Sequence, residues 1–252
     1  MNVFLTGASS GIGEELARLY AARGATLGLV ARRGDFLDRL KSSLAVPVAT
    51  YACDVRDAAA MRAAGADYIA RHGLPDLVIA NAGVSYGNIT TAEKDVEVFR
   101  EVLDINVIGM VNTFHPFAAA MRQRGSGKLA GIASVAGFRG LPGATAYSAS
   151  KSAAISYLEG LRVEMRPRGV RVVTVCPGFI ATPMTEKNPY PMPFILDADD
   201  AARRIARVLD SSKSFAVIPW QMAIVGRLLK LVPIGLFDRM MAGRGHKPRK
   251  AD

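Results

Sequence analysis

Short apolar runs alternate along the chain with longer stretches in which apolar residues recur every three or four positions. The runs at 3–6, 26–31, 46–52, 77–80, 128–133, 170–175 and 215–218 have strand length and are bounded by turn-forming residues. The 3.6-residue pattern predicts helices near 12–23, 35–44, 56–72, 93–122, 147–166 and 199–210. Continuous apolar runs suit strands covered on both faces. Strands separated by helices, with few hairpin signals, imply parallel pairing through right-handed crossovers. The expectation is an α/β chain: one doubly wound parallel sheet of six to seven strands with helices on both faces, filling residues 1–252. No repeat or low-complexity linker divides it, and the proline-rich stretch 188–194 reads as an irregular insertion.

Composition changes this picture little. Half of the 252 residues are hydrophobic and 21% are charged, a globular balance. Cys53 and Cys176 close the apolar runs that read as the third and sixth strands, so reduced, buried thiols in a cytoplasmic protein are expected rather than a disulfide framework. No secretory leader is read, since residues 3–5 already look like a strand. The best spanning candidate, 215–237, carries Arg227, Lys230, Pro219 and Pro233, which disfavours membrane crossing. The net charge of +10 suits nucleic acid, anionic lipid or an anionic small molecule. No nucleic-acid motif accompanies it, so no nucleic-acid partner is expected. Part of the excess gathers in Arg239, Arg244, Lys247, Arg249 and Lys250. No metal centre is expected.

Two places carry chemistry. The first predicted strand runs into Thr6-Gly7-Ala8-Ser9-Ser10-Gly11-Ile12-Gly13, just before a predicted helix. Glycines there permit a tight turn and a close backbone approach, and a helix start offers free N–H groups to a pyrophosphate. The sheet is therefore expected to be of Rossmann type. An acid is expected at the end of the second strand to hold a ribose 2′-hydroxyl. The chain has Ala31-Arg32-Arg33 instead, and Asp35 lies too far along. Guanidinium groups suit a 2′-phosphate, so NADP(H) is expected in preference to NAD(H). Asp54 and Val55 end the third strand, and Asn81, Ala82 and Gly83 the fourth, where a ligand crevice forms. Asp54 stands either to accept the adenine amino group or to cap the helix that follows.

The second place is Tyr147 with Lys151, four positions apart and so on one helix face, preceded by Ser134. A unit charge about 4 Å from a phenol, at an effective dielectric of about 20, is worth roughly 4 kcal/mol. At about 1.36 kcal/mol per pH unit, that would carry the phenol from about 10 toward 7. Such a tyrosine exchanges a proton with an alcohol oxygen near neutral pH.

Together these residues resemble the short-chain dehydrogenase/reductase family over residues 1 to about 185. The resemblance rests on T-G-x-x-x-G-x-G at Thr6 to Gly13, N-A-G at Asn81 to Gly83, Asn106, Ser134, Y-x-x-x-K at Tyr147 to Lys151, and Pro177-Gly178 followed by Thr182. It implies hydride transfer between a nicotinamide and a carbonyl or alcohol carbon. By that resemblance Tyr147 is the general acid of reduction, and Lys151 lowers its pKa and holds the nicotinamide ribose. Ser134 bonds the substrate oxygen, and Asn106 supports a proton relay through Lys151. The cofactor would be lined by Gly7, Ser9, Ser10, Gly11, Ile12, Gly13, Arg32, Arg33, Asp54, Val55 and Asn81 to Gly83. Beyond the sixth strand Pro177, Gly178, Ile180 and Thr182 would fix the carboxamide side.

In that family the segment after Thr182 covers the site. Here it holds Met184, Tyr190, Phe194 and Ile195 among prolines, which implies a lid over 182–198 and a hydrophobic carbonyl or alcohol substrate. Phe138 and Leu141 are expected in the same wall. The 219–252 extension predicts a helix with Trp220, Ile224, Val225, Leu228, Leu229, Leu231 and Val232 on one broad face and Arg227 and Lys230 opposite. A second short helix follows through Leu236, Phe237 and Met240. Such a face lies peripherally on an anionic membrane, or packs on its own domain or another subunit. Small residues including Ala118, Ala119, Ala153 and Ala154 suggest, by resemblance, pairing into a homodimer or homotetramer. Two other functions stay open: a reductase of acyl-carrier-linked 3-oxo substrates, whose acidic carrier suits a basic surface, and a non-catalytic NADPH-sensing regulator.

Overall fold

The computed structural model describes residues 1–186, 188–243 and 247–249. Its elements run β1 (Asn2–Thr6), α1 (Gly11–Ala22), β2 (Thr26–Ala31), α2 (Gly34–Ser42), β3 (Val48–Ala52), α3 (Ala58–His72), β4 (Leu77–Ala80), α4 (Asp95–Leu103), α5 (Gly109–Arg124) and β5 (Gly127–Ile132). They continue with α6 (Thr145–Met165), β6 (Val170–Pro177), β7 (Ile180–Ala181), β8 (Leu196–Asp197), α7 (Ala198–Asp210), β9 (Phe215–Ile218), α8 (Trp220–Leu231) and α9 (Ile234–Met241). Seven strands form one parallel sheet in the order β3-β2-β1-β4-β5-β6-β9, which is a Rossmann-like α/β domain. The order reverses between β1 and β4, so a crevice opens at the carboxyl ends of those two strands.

Strand alternation divides the core. Val3 and Leu5 face one side of β1, where Leu16, Tyr20, Leu37, Ile205 and Leu209 from α1, α2 and α7 cover them. Phe4 faces the other side, against Tyr68, Phe114, Phe117 and Leu158 from α3, α5 and α6. Phe4 meets Tyr68 edge-on, with centroids 5.5 Å apart, and lies 4.7 Å from the Phe117 centroid. Gly28 of β2 makes room for this cluster, since a Cβ there would lie 2.6 Å from Tyr68 and 2.7 Å from Phe4.

Most differences from the sequence expectation have local causes. Strand β3 begins at Val48 rather than 46, because Pro47 has no N–H for the ladder; its carbonyl still accepts from Leu27 at 2.9 Å. Strand β6 runs on to Pro177, where β9 extends the pairing. The helix expected over 93–122 is split, for a π-helical turn at Asp104–Ile108 separates α4 from α5. The two-residue pair β7–β8 carries little local signal and was not foreseen. Ala154, expected at a subunit contact, is buried in the chain's own core.

Replacing Gly28 with Ala should cost about 1–3 kcal/mol through overpacking of the Phe4 and Tyr68 rings. A urea melt would show this as a lower midpoint with an unchanged slope.

Candidate active site

The glycine turn is built by close contacts. Gly7 and Gly11 have φ of 71° and 55°, the left-handed region that favours glycine. A Cβ on Gly13 would lie 2.1 Å from the Gly7 carbonyl oxygen. The Asn81 amide donates to the Thr6 and Gly7 carbonyls, each at 3.2 Å, and so ties the end of β4 to the turn. Ser10, at the start of α1, makes no side-chain cap, which leaves the first N–H groups of that helix to a ligand. These features fit a dinucleotide pyrophosphate.

The cleft over this turn has a volume of about 310 Å³. It is lined by every residue expected at the cofactor except Gly13, which is spent on the approach to Gly7. Ser134, Tyr147 and Lys151 line the same cleft; Asn106 does not.

At the adenosine end, Arg33 donates to the Ser9 carbonyl at 3.2 Å and hydroxyl at 3.0 Å, and its guanidinium stacks 4.0 Å from the Phe36 centroid. Arg32 is exposed and lies 3.9 Å from Asp54. Asp54 accepts from the Arg56 side chain at 2.8 and 3.1 Å and from its backbone at 2.9 Å. Burial pushes the Asp54 carboxyl up, but those bonds and the Arg56 and Arg32 charges together hold it below the ordinary carboxylate range. Asp54 does not cap the following helix: Asp57 does, accepting from Ala59 and Ala60 at 2.9 Å. Asp35 pairs with Arg39 at 3.1 Å, away from any ribose role.

Tyr147 sits in the first turn of α6, Lys151 one turn on, and Ser134 beyond β5. The Ser134 hydroxyl accepts from Ala136 N–H at 3.1 Å, donates to the Pro177 carbonyl at 3.4 Å, and acts on the Tyr147 phenol to lower its pKa. The Lys151 ammonium is buried, donates to the Ile132 carbonyl at 2.9 Å and lies 5.7 Å from the Tyr147 ring centroid. Burial drives Lys151 down to about 8. The phenol does not behave as expected from the sequence. Burial raises it above its ordinary value, and the Ser134 bond opposes the rise only in part. The cost of desolvating a phenolate wins, because the neighbouring ammonium is itself desolvated and turned to a carbonyl. Cys176, beside Lys151, is likewise pushed up by burial, to about 12, and is not a poised nucleophile.

Asn106 is buried on the π-helical turn, with its polar atoms committed. Its carbonyl accepts from Val84 N–H at 2.8 Å, and its amide donates to Val84 O and Ser150 Oγ, each at 2.9 Å. Ser150 in turn donates to the Tyr147 carbonyl at 2.7 Å. Asn106 thus joins the loop after β4 to the helix that carries Tyr147.

Several positioning residues escaped the sequence reading. Asn88 caps α6 from a distant loop, accepting from Ala146 N–H at 3.0 Å and donating to Thr145 Oγ1 at 2.8 Å. Its signal is absent because the cap lies 58 positions away. Thr185 ties the start of the loop that follows β7, donating to the Ile180 carbonyl at 2.6 Å. Asp95, buried, holds Arg249 of the C-terminal tail at 3.0 and 3.1 Å and accepts from Ile89 N–H at 2.6 Å. Lys247 donates to the Met184 carbonyl at 3.0 Å, so the tail touches both the loop after β4 and the loop between β7 and β8. Arg244 and Lys250, named with these cations, lie outside the described residues. Phe138, expected in the substrate wall, instead packs under α8: a Cβ on Gly226 would lie 2.3 Å from its ring.

The family model for short chain dehydrogenase matches residues 1–191. The chain belongs to that family, and it is an oxidoreductase of that class. It is 39% identical over 240 residues to an uncharacterized oxidoreductase of Myxococcus xanthus, covering 93% of each chain. Among solved structures it resembles an alcohol dehydrogenase from Thermococcus sibiricus complexed with 5-hydroxy-NADP, at 27% identity and a TM-score of 0.75, over 86% of this chain and 94% of the other. It also resembles a short chain dehydrogenase from Mycobacterium paratuberculosis bound to NAD, at 26% identity and a TM-score of 0.75, over the same shares.

The low Lys151 value has a thermodynamic consequence. A lysine whose folded value lies below its unfolded value of about 10.4 destabilises the fold below pH about 8, and this is relieved as pH rises toward 10.4. The full effect is roughly 3 kcal/mol. The difference in Tm between Lys151→Met and the parent should therefore shrink between pH 8 and 10, as read in calorimetric melts of the nucleotide-free chain.

Proposed function

We propose that this chain is an NADP(H)-dependent reductase of hydrophobic ketones, working in reverse on the corresponding secondary alcohols. The observation that carries the reading is the convergence of Ser134, Tyr147 and Lys151 in the cleft that also holds the glycine turn. Bound NADPH supplies the hydride. The Ser134 and Tyr147 hydroxyls polarise the carbonyl oxygen from the opposite side, and Tyr147 delivers the proton as the alkoxide forms. Lys151 holds the nicotinamide ribose hydroxyls and offsets charge on the phenolate left behind. Asn106, through Val84 and Ser150, keeps the Tyr147 helix in register with the loop after β4. Its amide makes no bond to Lys151, so its part in a proton relay is one of positioning.

The preference for NADP(H) rests on Arg32 and Arg33 at the end of β2, with Asp35 paired to Arg39 and Asp54 held at 2.8 Å by Arg56 and only at 3.9 Å by Arg32. Arg33 is held flat by Phe36 beside the Ser9 turn, and Arg32, largely exposed at the cleft edge and 3.9 Å from Asp54, would exchange that loose ion pair for a 2′-phosphate. The hydrophobic substrate is supported by the lid. Met184, Phe194 and Ile195 are exposed there, Met184 lines the cleft, and the β7–β8 pair closes the loop at its base. Pairing of subunits through α5 and α6 is supported by the exposed Ile108 and Val163 at the ends of that face.

Two measurements test the reading. Tyr147→Phe should bind NADPH as the parent does, by fluorescence titration, while turnover of a lipophilic ketone drops roughly 10²–10⁴-fold. Retained turnover would remove Tyr147 as the acid. Arg32→Ala should raise KM for NADPH about ten-fold or more and leave KM for NADH unchanged, since one charge-assisted bond is worth about 1.5–3 kcal/mol. A parent enzyme as efficient with NADH as with NADPH would overturn the assigned preference.

A further inference from the structure

Helices α8 and α9 carry an apolar ridge that the described chain does not cover. Trp220, Ile224, Leu228 and Leu231 of α8 are 64%, 50%, 58% and 78% exposed, and Ile234 and Leu236 of α9 are 75% and 51% exposed. At 100° per residue the four α8 side chains stand on one side of the helix. The opposite side, with buried Met222 and Gly226, packs on Gly178 and Phe138 and anchors α8 to the domain. The broad face read from the sequence is therefore divided: its inner part is spent on packing, and its outer part is not.

Cations line the edge of this ridge. Lys213, Arg227 and Lys230 border a surface recess floored by Phe138 and Phe215, whose rings stack with centroids 6.3 Å apart. The Lys230 ammonium lies 5.2 Å over the Phe138 ring, and none of the three cations has an acidic partner among the described residues. Across residues 213–241 the sequence holds four cations and a single acid, Asp238. A second copy seated on the ridge about a two-fold axis would set these cations against their own duplicates. A neutral apolar partner would leave them unmatched. No helix among the described residues is long and apolar enough to cross a membrane.

An anionic bilayer surface satisfies both halves of the pattern. Acyl chains accept the ridge, and headgroup phosphates or carboxylates enter the basic recess. We propose that α8 and α9 form a peripheral docking face for an anionic phospholipid membrane, with Trp220, Leu228 and Leu231 at its apolar centre and Lys213, Arg227 and Lys230 as headgroup contacts. This stands apart from the catalytic reading and does not depend on it.

The full chain, sedimented with phosphatidylcholine vesicles and with mixed phosphatidylcholine–phosphatidylserine vesicles, tests the proposal. Binding to the mixed vesicles should exceed binding to the neutral ones by more than about ten-fold at low salt and fall as salt is added. Leu228→Glu and Leu231→Glu should abolish it, while Arg227→Gln and Lys230→Gln should each weaken it about five-fold. All four positions are on the surface, so thermal melts should match the parent. Equal recovery with mixed, neutral and no vesicles would overturn the proposal. So would a dimer, seen by sedimentation velocity, that the two Glu substitutions split while vesicles leave the parent in the supernatant.

Discussion

No side chain fits between Gly13 and the carbonyl of Gly7, and the cleft depends on that exclusion. The missing Cβ lets α1 start directly over the end of β1. Asn81 then reaches from β4 to the same turn and holds the two strands where the sheet order reverses. A crevice forms there because the helices after β1 and β4 leave toward opposite faces of the sheet. The wall opposite this turn is set by the lid root, where Thr182 packs against Gly11.

A second constraint is electrostatic. An ammonium at Lys151 is kept inside the protein with one carbonyl partner, and a phenol beside it is raised by burial. Neither arrangement favours stability, since burying a charge without a counter-charge is costly. Both groups line the cleft beside the glycine turn. A sequence spacing of four residues brings the two groups to one helix face, but it does not decide where the ammonium points.

Around this centre the chain uses long-range bonds to hold short, irregular segments. Asn88 caps the Tyr147 helix, Asn106 links that helix to the loop after β4, and Asp95 clasps Arg249 of the tail. Lys247 connects the tail to the loop between β7 and β8. These loops are thus tied to one another as well as to the sheet. Phe138 shows how near the two surfaces of the molecule come: it follows the cleft-lining Ser134 by four residues, yet belongs to the packing under α8.

The amino-acid order alone determined the regular frame. Apolar runs bounded by turn residues located all seven strands of the main sheet, and the glycine turn, the Arg32-Arg33 pair and the Tyr147, Lys151 and Ser134 set named the cleft's principal residues before any coordinates. These features were legible because their signals are local: period, spacing and residue type within a few positions. Tertiary structure decided what rests on contacts between distant segments. It showed Asp57 rather than Asp54 as the helix cap, a π-helical turn that turns Asn106 inward, and the β7–β8 clasp at the base of the loop between them. It also divided the α8 face into buried and exposed halves, and it set burial against charge at Tyr147. The reason is common to all of them: desolvation and hydrogen-bond partnership depend on which segments meet in space, and no local pattern encodes that meeting.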